Sequence, residues 1–324
     1  MSISKTVVLA LNQLLFLCLL TAASSFSLII RHDVRDSEYL DFATEVRFAG
    51  VGQMQSKLGL RGTGTYIGNG WILTAAHVAD DTNDWTFRLG GVDYPVAEFH
   101  IHPEWTGDLN DSHDVAVMRL STPTIGVDAL PIALLSADVG DAVQQAGYGF
   151  TGTGAIGVTG NGGQLLRAGT NNIELDLNPF GLEYVVTFFD SPGSGVETSL
   201  ETQGAFNDSG GPLIRATENG WEIVGTTSFI QESFDGSGDG ILGNYGDLTG
   251  FADTPTYRDW IDGFVRLDVL IGDVNQDDII NLLDVAPFID TLVMGHFQAE
   301  ADINFDGVVD LMDVEPFVQL LEGS

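Results

Sequence analysis

Three side chains in this sequence have the types needed to turn a weak nucleophile into a strong one. His77 closes the segment Leu73-Thr74-Ala75-Ala76-His77, and Asp114 stands in His113-Asp114-Val115-Ala116-Val117-Met118-Arg119-Leu120. Ser209 lies in Asn207-Asp208-Ser209-Gly210-Gly211-Pro212. A serine hydroxyl attacks carbonyl carbon poorly at neutral pH unless a base takes its proton. The base in turn needs a carboxylate to fix its tautomer and stabilise its charged form. The chain therefore holds a nucleophile, a base and an orienting acid, provided that a fold brings them together. The remaining histidines, His32, His100, His102, His113 and His296, show no zinc-ligand spacing. His113 adjoins Asp114 and, as a strand neighbour, is expected on the opposite face.

A second chemistry is written after residue 272. Asp273, Asn275, Asp277, Ile279 (through its carbonyl), Asn281 and Asp284 alternate oxygen donors along one short loop. The pattern returns 29 residues later as Asp302, Asn304, Asp306, Val308, Asp310 and Asp313. Hard cations such as Ca²⁺ take six to eight oxygens from loops of this kind, so two Ca²⁺ sites are predicted. Val285-Ala286-Pro287-Phe288 after the first loop matches Val314-Glu315-Pro316-Phe317 after the second. Such duplication predicts two copies of one loop-helix unit packed on each other. Asp278 stands where the turn favours glycine, whereas the second loop keeps Gly307; the first site is expected to be the weaker. The acidic stretch Asp235 to Asn244 reads as a solvated loop, the alternative being a further calcium grip through its carboxylates.

The elements that must position the first three residues are strands. Gly64-Thr65-Tyr66-Ile67, Trp71-Ile72-Leu73-Thr74, Val115-Ala116-Val117-Met118 and Tyr184-Val185-Val186-Thr187-Phe188-Phe189 are short apolar runs rich in β-branched and aromatic residues. Glycine-rich loops are expected over Gly152 to Gly163 and Asp235 to Gly250. Tyr257, Trp260, Ile261 and Phe264 share one helical face, which predicts a helix over Pro255 to Val265. Many short strands with glycine-rich turns give an all-β body, a sandwich or a barrel.

Composition narrows the function classes. The chain of 324 residues has 40 glycines and a net charge of -34, with only 12 Lys and Arg. That surface excludes nucleic acid as a partner, because phosphate binding needs basic groups. Lys5, the apolar run Val7 to Leu20 and the small residues Thr21 to Ser25 predict a secretion signal over residues 1–25. Its removal would leave no stable membrane insertion. Cys18, the single cysteine, lies inside it. The mature chain would then have no disulfide and depend on packing and metal for stability.

The His, Asp and Ser frames, in that order, resemble those of chymotrypsin-type (trypsin-like) serine proteases over residues 29–265. His102-Pro103-Glu104-Trp105, Gly147-Tyr148-Gly149 and Ser228-Phe229 resemble further segments of that family. The resemblance implies two packed six-stranded β-barrels with His77, Asp114 and Ser209 in the cleft. It implies an oxyanion hole from the backbone N–H groups of Asn207 and Ser209, and a substrate pocket at Gln203, Ser228 and Phe229. Neutral Gln203, where an acid would select Lys or Arg, disfavours a basic substrate side chain; small, apolar and polar ones remain open. Two departures stand out. Asn207 occupies a position that is usually glycine, and Asn adopts left-handed backbone angles more readily than most residues. The Ile-Val-Gly-Gly start, whose freed amine pairs with the Asp before the nucleophile, is missing. Ile29 or Ile30 is the expected source of such an amine, unless activation follows another scheme.

Residues 272–322 resemble a type I dockerin module, a small α-helical domain of two EF-hand-like loop-helix repeats. The resemblance implies Ca²⁺ binding and docking to a cohesin-like surface protein. Leu282, Leu283, Leu311 and Met312 stand where the familiar modules carry polar recognition residues, so these are either core or a contact for a different partner. The expected protein is a secreted, extracellular serine endopeptidase of bacterial style, acting on protein or peptide substrate. The alternatives are a protease-fold binding protein without turnover and an esterase using the same three residues.

Overall fold

The computed structural model describes residues 28–81, 84–122, 127–160, 165–218, 220–232, 239–265, 270–277, 279–294, 298–304 and 308–323. The predicted signal segment and Cys18 lie outside them.

Six strands close into a barrel: β1 (Val51–Ser56), β2 (Gly59–Gly68), β3 (Trp71–Thr74), β4 (Thr86–Leu89), β5 (Val92–Ile101) and β6 (Ala116–Leu120), in the order β1-β2-β3-β6-β5-β4. Alternation along these strands sends Met54, Ile72, Phe87, Leu89, Met118 and Leu120 inward, where they form one apolar core. The outward set of the same strands, Val51, Trp71, Leu73 and Val117, is not solvated. It packs against Tyr184, Ile214, Ile223, Tyr257 and Ile261 of the second half, and this shared core fixes the two halves together.

The second half contains β7 (Ala142–Gly147), β8 (Arg167–Asn172), β9 (Leu175–Asp176), β10 (Tyr184–Phe188), β11 (Pro212–Thr217), β12 (Gly220–Gln231) and β13 (Leu248–Asp253). These form a seven-stranded sheet in the order β8-β7-β11-β12-β13-β10-β9. It is a half-barrel among the described residues, not the second closed six-stranded barrel that the resemblance implied. The physical reason lies at its edges. The β8 edge is covered by helix α1 (Asp36–Phe42), with Arg167 bonded to both oxygens of Asp36 at 2.6 and 2.9 Å. At the other end β9 is only two residues long, too short to template a further strand. A small four-stranded sheet holds Ile29–Ile30 between Thr202–Gln203 and Gly152–Thr153, with Gly157–Val158 outermost. Part of the expected loop at Gly152 to Gly163 is thus paired strand.

The one-turn helix α2 (Ala76–Ala79) follows β3. The helix predicted over Pro255 to Val265 is present as a 3₁₀ turn, Thr254–Tyr257, running into α3 (Arg258–Val265). The C-terminal region contains α4 (Val285–Met294) and α5 (Val314–Gly323). Their equivalent phenylalanines, Phe288 and Phe317, stack at 4.2 Å and form a separate core with Val274, Ala301 and Ile303. No helix among the described residues is long and apolar enough to cross a membrane.

Candidate active site

Strand β3 ends at Thr74, and extended Ala75 turns the chain into α2, which carries His77. Asp114, fully buried, holds that residue twice. One carboxylate oxygen accepts the His77 backbone N–H at 2.8 Å, and the other lies 2.8 Å from His77 Nδ1. The Ser228 hydroxyl donates to the same Oδ2. Burial pulls the imidazole pKa down, but the charge and hydrogen bond of Asp114 outweigh it and leave His77 above its ordinary value. A His whose Nδ1–H is spent on a carboxylate presents Nε2 as its basic nitrogen.

Asp114 is aimed by an unusual backbone. Ser112 and His113 both have left-handed φ, 65° and 62°, so His113 is not the strand neighbour that was expected. It stacks on His102 at 5.0 Å, lies 3.2 Å from Glu183, and gives its backbone N–H to the Tyr257 hydroxyl at 3.0 Å. His102-Pro103 and the α3 region thereby anchor the turn that delivers Asp114. His100 stacks on Phe264, and His32 bonds the Tyr245 hydroxyl.

Ser209 is brought to the same place by tight backbone packing. Its carbonyl accepts the Thr63 N–H at 2.8 Å, and Gly210 gives its N–H to the Thr227 carbonyl at 2.8 Å. Gly210 has φ +83°, and a Cβ there would lie 2.1 Å from Thr74 Oγ1; no other residue allows the Ser209 turn to approach β3 so closely. Thr74 is three residues before His77, so the contact sets Ser209 beside α2. Asn207 has φ +71°, the left-handed conformation that its glycine-like position requires. The amide of Asp208 is spent on the Ala205 carbonyl at 3.0 Å. The pair of amides on Asn207 and Ser209 flanks it.

Asp208 is buried and accepts three backbone N–H groups: Leu28 at 3.1 Å, Gly149 at 2.6 Å and Ala205 at 2.9 Å. Burial pushes its carboxyl up to about 7, although those donors favour the charged form. The sequence pointed to Ile29 or Ile30 as its partner. The atom on Asp208 is instead the nitrogen of Leu28, because Ile29 and Ile30 are committed to strand pairing with Gln203 and Thr202. Gly147 and Gly149 leave the space that the Asp208 side chain fills. Of the pocket residues, Ser228 supports Asp114, Phe229 covers Gly250 against Tyr184, and Gln203 is buried with its Nε2 3.3 Å from the Leu248 carbonyl.

In the C-terminal loops Asp273, Asp284, Asp302 and Asp313 are buried. Both repeats make the same bonds. Asp284 accepts from Asn275 and Asn281 N–H at 3.0 and 2.8 Å, and Asp313 from Asn304 and Asp310 N–H at 3.0 and 2.9 Å. No lysine or arginine occurs after Arg266. Among the described residues no three acidic or histidine groups are gathered as a metal site; Asp278, Asp306 and Gly307 lie outside them. The donor chemistry, all oxygen with buried carboxylates and no lysine or arginine nearby in sequence, fits Ca²⁺. Leu282, Leu283, Leu311 and Met312 are 78%, 67%, 82% and 69% exposed, so they are not core.

The family model for trypsin matches residues 42–261, and that for the dockerin type I domain matches residues 271–319. The chain belongs to the trypsin family. It also carries a dockerin type I domain. Vitamin K-dependent protein C of Rattus norvegicus is 26% identical over 242 residues, 65% of this chain and 48% of that protein. The protein C of Mus musculus matches to the same degree. Ovochymase of Halocynthia roretzi is 23% identical, over 66% of this chain and 14% of that protein. The chain thus spans about half or less of the length of these relatives. Neuropsin, a serine protease expressed in the limbic system of mouse brain, shares the fold with a TM-score of 0.52 at 21% identity; the match covers 66% of this chain and 93% of neuropsin.

Proposed function

We propose that this trypsin-family chain is a secreted serine endopeptidase, acting through residues 29–265 and docked through a calcium-folded module at 272–322. The observation that carries the reading is the doubly held His77: both oxygens of a buried Asp114 locate it, and the Ser209 turn packs against the strand leading to it. Ser209 Oγ attacks the scissile carbonyl carbon while His77 Nε2 takes its proton. The oxyanion rests on the N–H groups of Asn207 and Ser209, and each such donor contributes about 3–4 kcal/mol in the transition state. The amine leaves with the proton from His77. Water, deprotonated by the same nitrogen, then releases the acyl group.

Asp208 supplies a condition on activity. The Leu28 nitrogen that it bonds is an amide in the precursor and becomes an ammonium if the chain is cut just before Leu28. An ammonium there would turn a costly buried carboxyl into a buried ion pair and fix the Asn207–Ser209 turn. In the module, Asp273, Asn275, Asp277, Asn281 and Asp284 would hold one Ca²⁺ with the Ile279 carbonyl. Asp302, Asn304, Asp306, Asp310 and Asp313 would hold a second with the Val308 carbonyl; bound Ca²⁺ supplies the positive charge these loops lack. The exposed apolar pairs Leu282-Leu283 and Leu311-Met312 would meet a cohesin-like surface protein.

The test is labelling of calcium-loaded protein beginning at Leu28 with a fluorophosphonate probe. Covalent labelling that disappears in both Ser209→Ala and His77→Ala is expected. An unlabelled wild type would sink the catalytic reading and favour a protease-fold binding protein.

A further inference from the structure

The contacts around Gly204 define what the cleft beside Ser209 can hold. Strand β12 passes Asp114 at Ser228 and runs on to Ile230, whose cross-strand partner on β13 is Thr249. Paired residues of adjacent strands project from the same face, and here both side chains point at Gly204. A Cβ on Gly204 would lie 3.0 Å from Thr249 Cγ2 and 3.4 Å from Ile230 Cγ2. The Gly204 N–H also donates to Thr249 Oγ1 at 2.9 Å. The space between the segment 203–206 and the β12–β13 pair is therefore narrowed by two β-branched side chains. Such side chains have few χ1 wells and do not swing aside readily. Gln203 lies behind this plug. It is 1% exposed, and its Nε2 is engaged by the Leu248 carbonyl.

Resting on the reading of Ser209 as nucleophile, we infer that the enzyme cleaves after small uncharged residues such as alanine or serine, with Ile230 and Thr249 as the residues that set this limit. Once the acyl carbon is bonded to Ser209 Oγ and its oxygen sits on the Asn207 and Ser209 amides, the preceding side chain must enter the gap between residues 203–206 and strand β12. A methyl or hydroxymethyl group fits above the Ile230–Thr249 pair. A phenyl ring or a lysine stem meets the pair and reaches neither depth nor a carboxylate. The plug removes the choice that neutral Gln203 alone left open, because no substrate group contacts Gln203.

The experiment compares tetrapeptide nitroanilides ending in Ala, Phe or Lys on the full calcium-loaded chain beginning at Leu28. It includes the graded variants Thr249→Ser, Ile230→Ala and Ile230→Gly/Thr249→Gly. Pocket steric exclusion discriminates by about 10–200-fold per misfit group, so Ala is expected to lead Phe and Lys in kcat/KM by about 100-fold. The Phe/Ala ratio should rise stepwise through the variants, by about tenfold or more in the double variant. Binding of the corresponding peptide amides to Ser209→Ala, read by calorimetry, gives the same order without turnover. A preference for Phe or Lys, no detectable peptide binding, or a Phe/Ala ratio that ignores both positions would overturn the inference. Lost probe labelling with the binding order intact would strike only the catalytic reading.

Discussion

The protease body and the C-terminal module solve the problem of buried charge in opposite ways. In the body, Arg167 is paired with Asp36, and Arg215 bonds both Asp141 and Glu222 at 2.8 and 2.7 Å. Among the described residues of the module five carboxylates are buried, Asp273, Asp284, Glu300, Asp302 and Asp313, and the sequence has no lysine or arginine after Arg266. Isolated buried carboxylates are unstable and must be paired, protonated or metal-bound. The body supplies counter-charges for these groups itself, whereas in the module the proposed Ca²⁺ would supply them from solution. The same contrast holds for the cores. The body's two halves share a broad apolar interface, while the module has five buried apolar residues, Val274, Phe288, Ala301, Ile303 and Phe317, with partly buried ones packed around them.

Removing calcium is the strongest way to break this comparison. A site saturated a thousandfold above its Kd contributes about 4 kcal/mol, comparable to the whole stability of so small a unit. A chelator is expected to abolish the helical signal of α4 and α5 and open residues after Leu270 to proteolysis, with the melting of the body unmoved. Identical circular dichroism and cleavage patterns with and without chelator would refute the dependence.

Asp208 is one of several carboxylates buried in the body, with Asp114, Glu201, Asp247 and Asp253, and pH exposes it. With the Leu28 nitrogen as an amide, the folded carboxyl is raised to about 7 from an ordinary 3.8. The fold then favours the neutral acid. Its contribution is present below about pH 4 and is lost as pH rises through 7, a span of roughly 4 kcal/mol. A chain beginning with a free Leu28 ammonium should reverse the sign. Its stability should hold at neutral pH and fall as the carboxylate is protonated on acidification. Denaturant midpoints of the precursor and the processed chain between pH 4 and 8 will separate them, and parallel profiles would remove Asp208 as the sensor.

A smaller effect sharpens the picture at Asn207. Glycine there should change stability by no more than about 1 kcal/mol, since it accepts φ +71° freely. Valine should lose about 1–3 kcal/mol, together with activity, and leave the module's calcium response unchanged. Equal midpoints for both variants would show that the turn is not held in the left-handed conformation.

The candidate residues His77, Asp114 and Ser209 could be singled out because each sits in a short local frame, and the loop-helix repeats because they recur in register. Other features depend on distant pairings. Leu28 meets Asp208 across 180 residues, and nothing near either residue announces it. Ile230 and Thr249 face each other through a strand register that includes a bulge between Thr227 and Phe229; no sequence spacing fixes such a pairing. The bond from the Ser228 hydroxyl to Asp114 likewise joins residues 114 positions apart. The half-barrel was hidden for a similar reason, since closure is decided at sheet edges that α1 covers.

The small sheet around Ile29–Ile30 has one more consequence. Those two residues are pinned on both sides, to Gln203 and Thr202 and to Gly152 and Thr153. The chain cannot slide to compensate for a start that is one residue wrong. A first residue at Ile29 would leave its amine about 3.8 Å of chain away from the atom that reaches Asp208. Under the proposed processing before Leu28, a cut misplaced by a single residue would yield a folded but idle molecule.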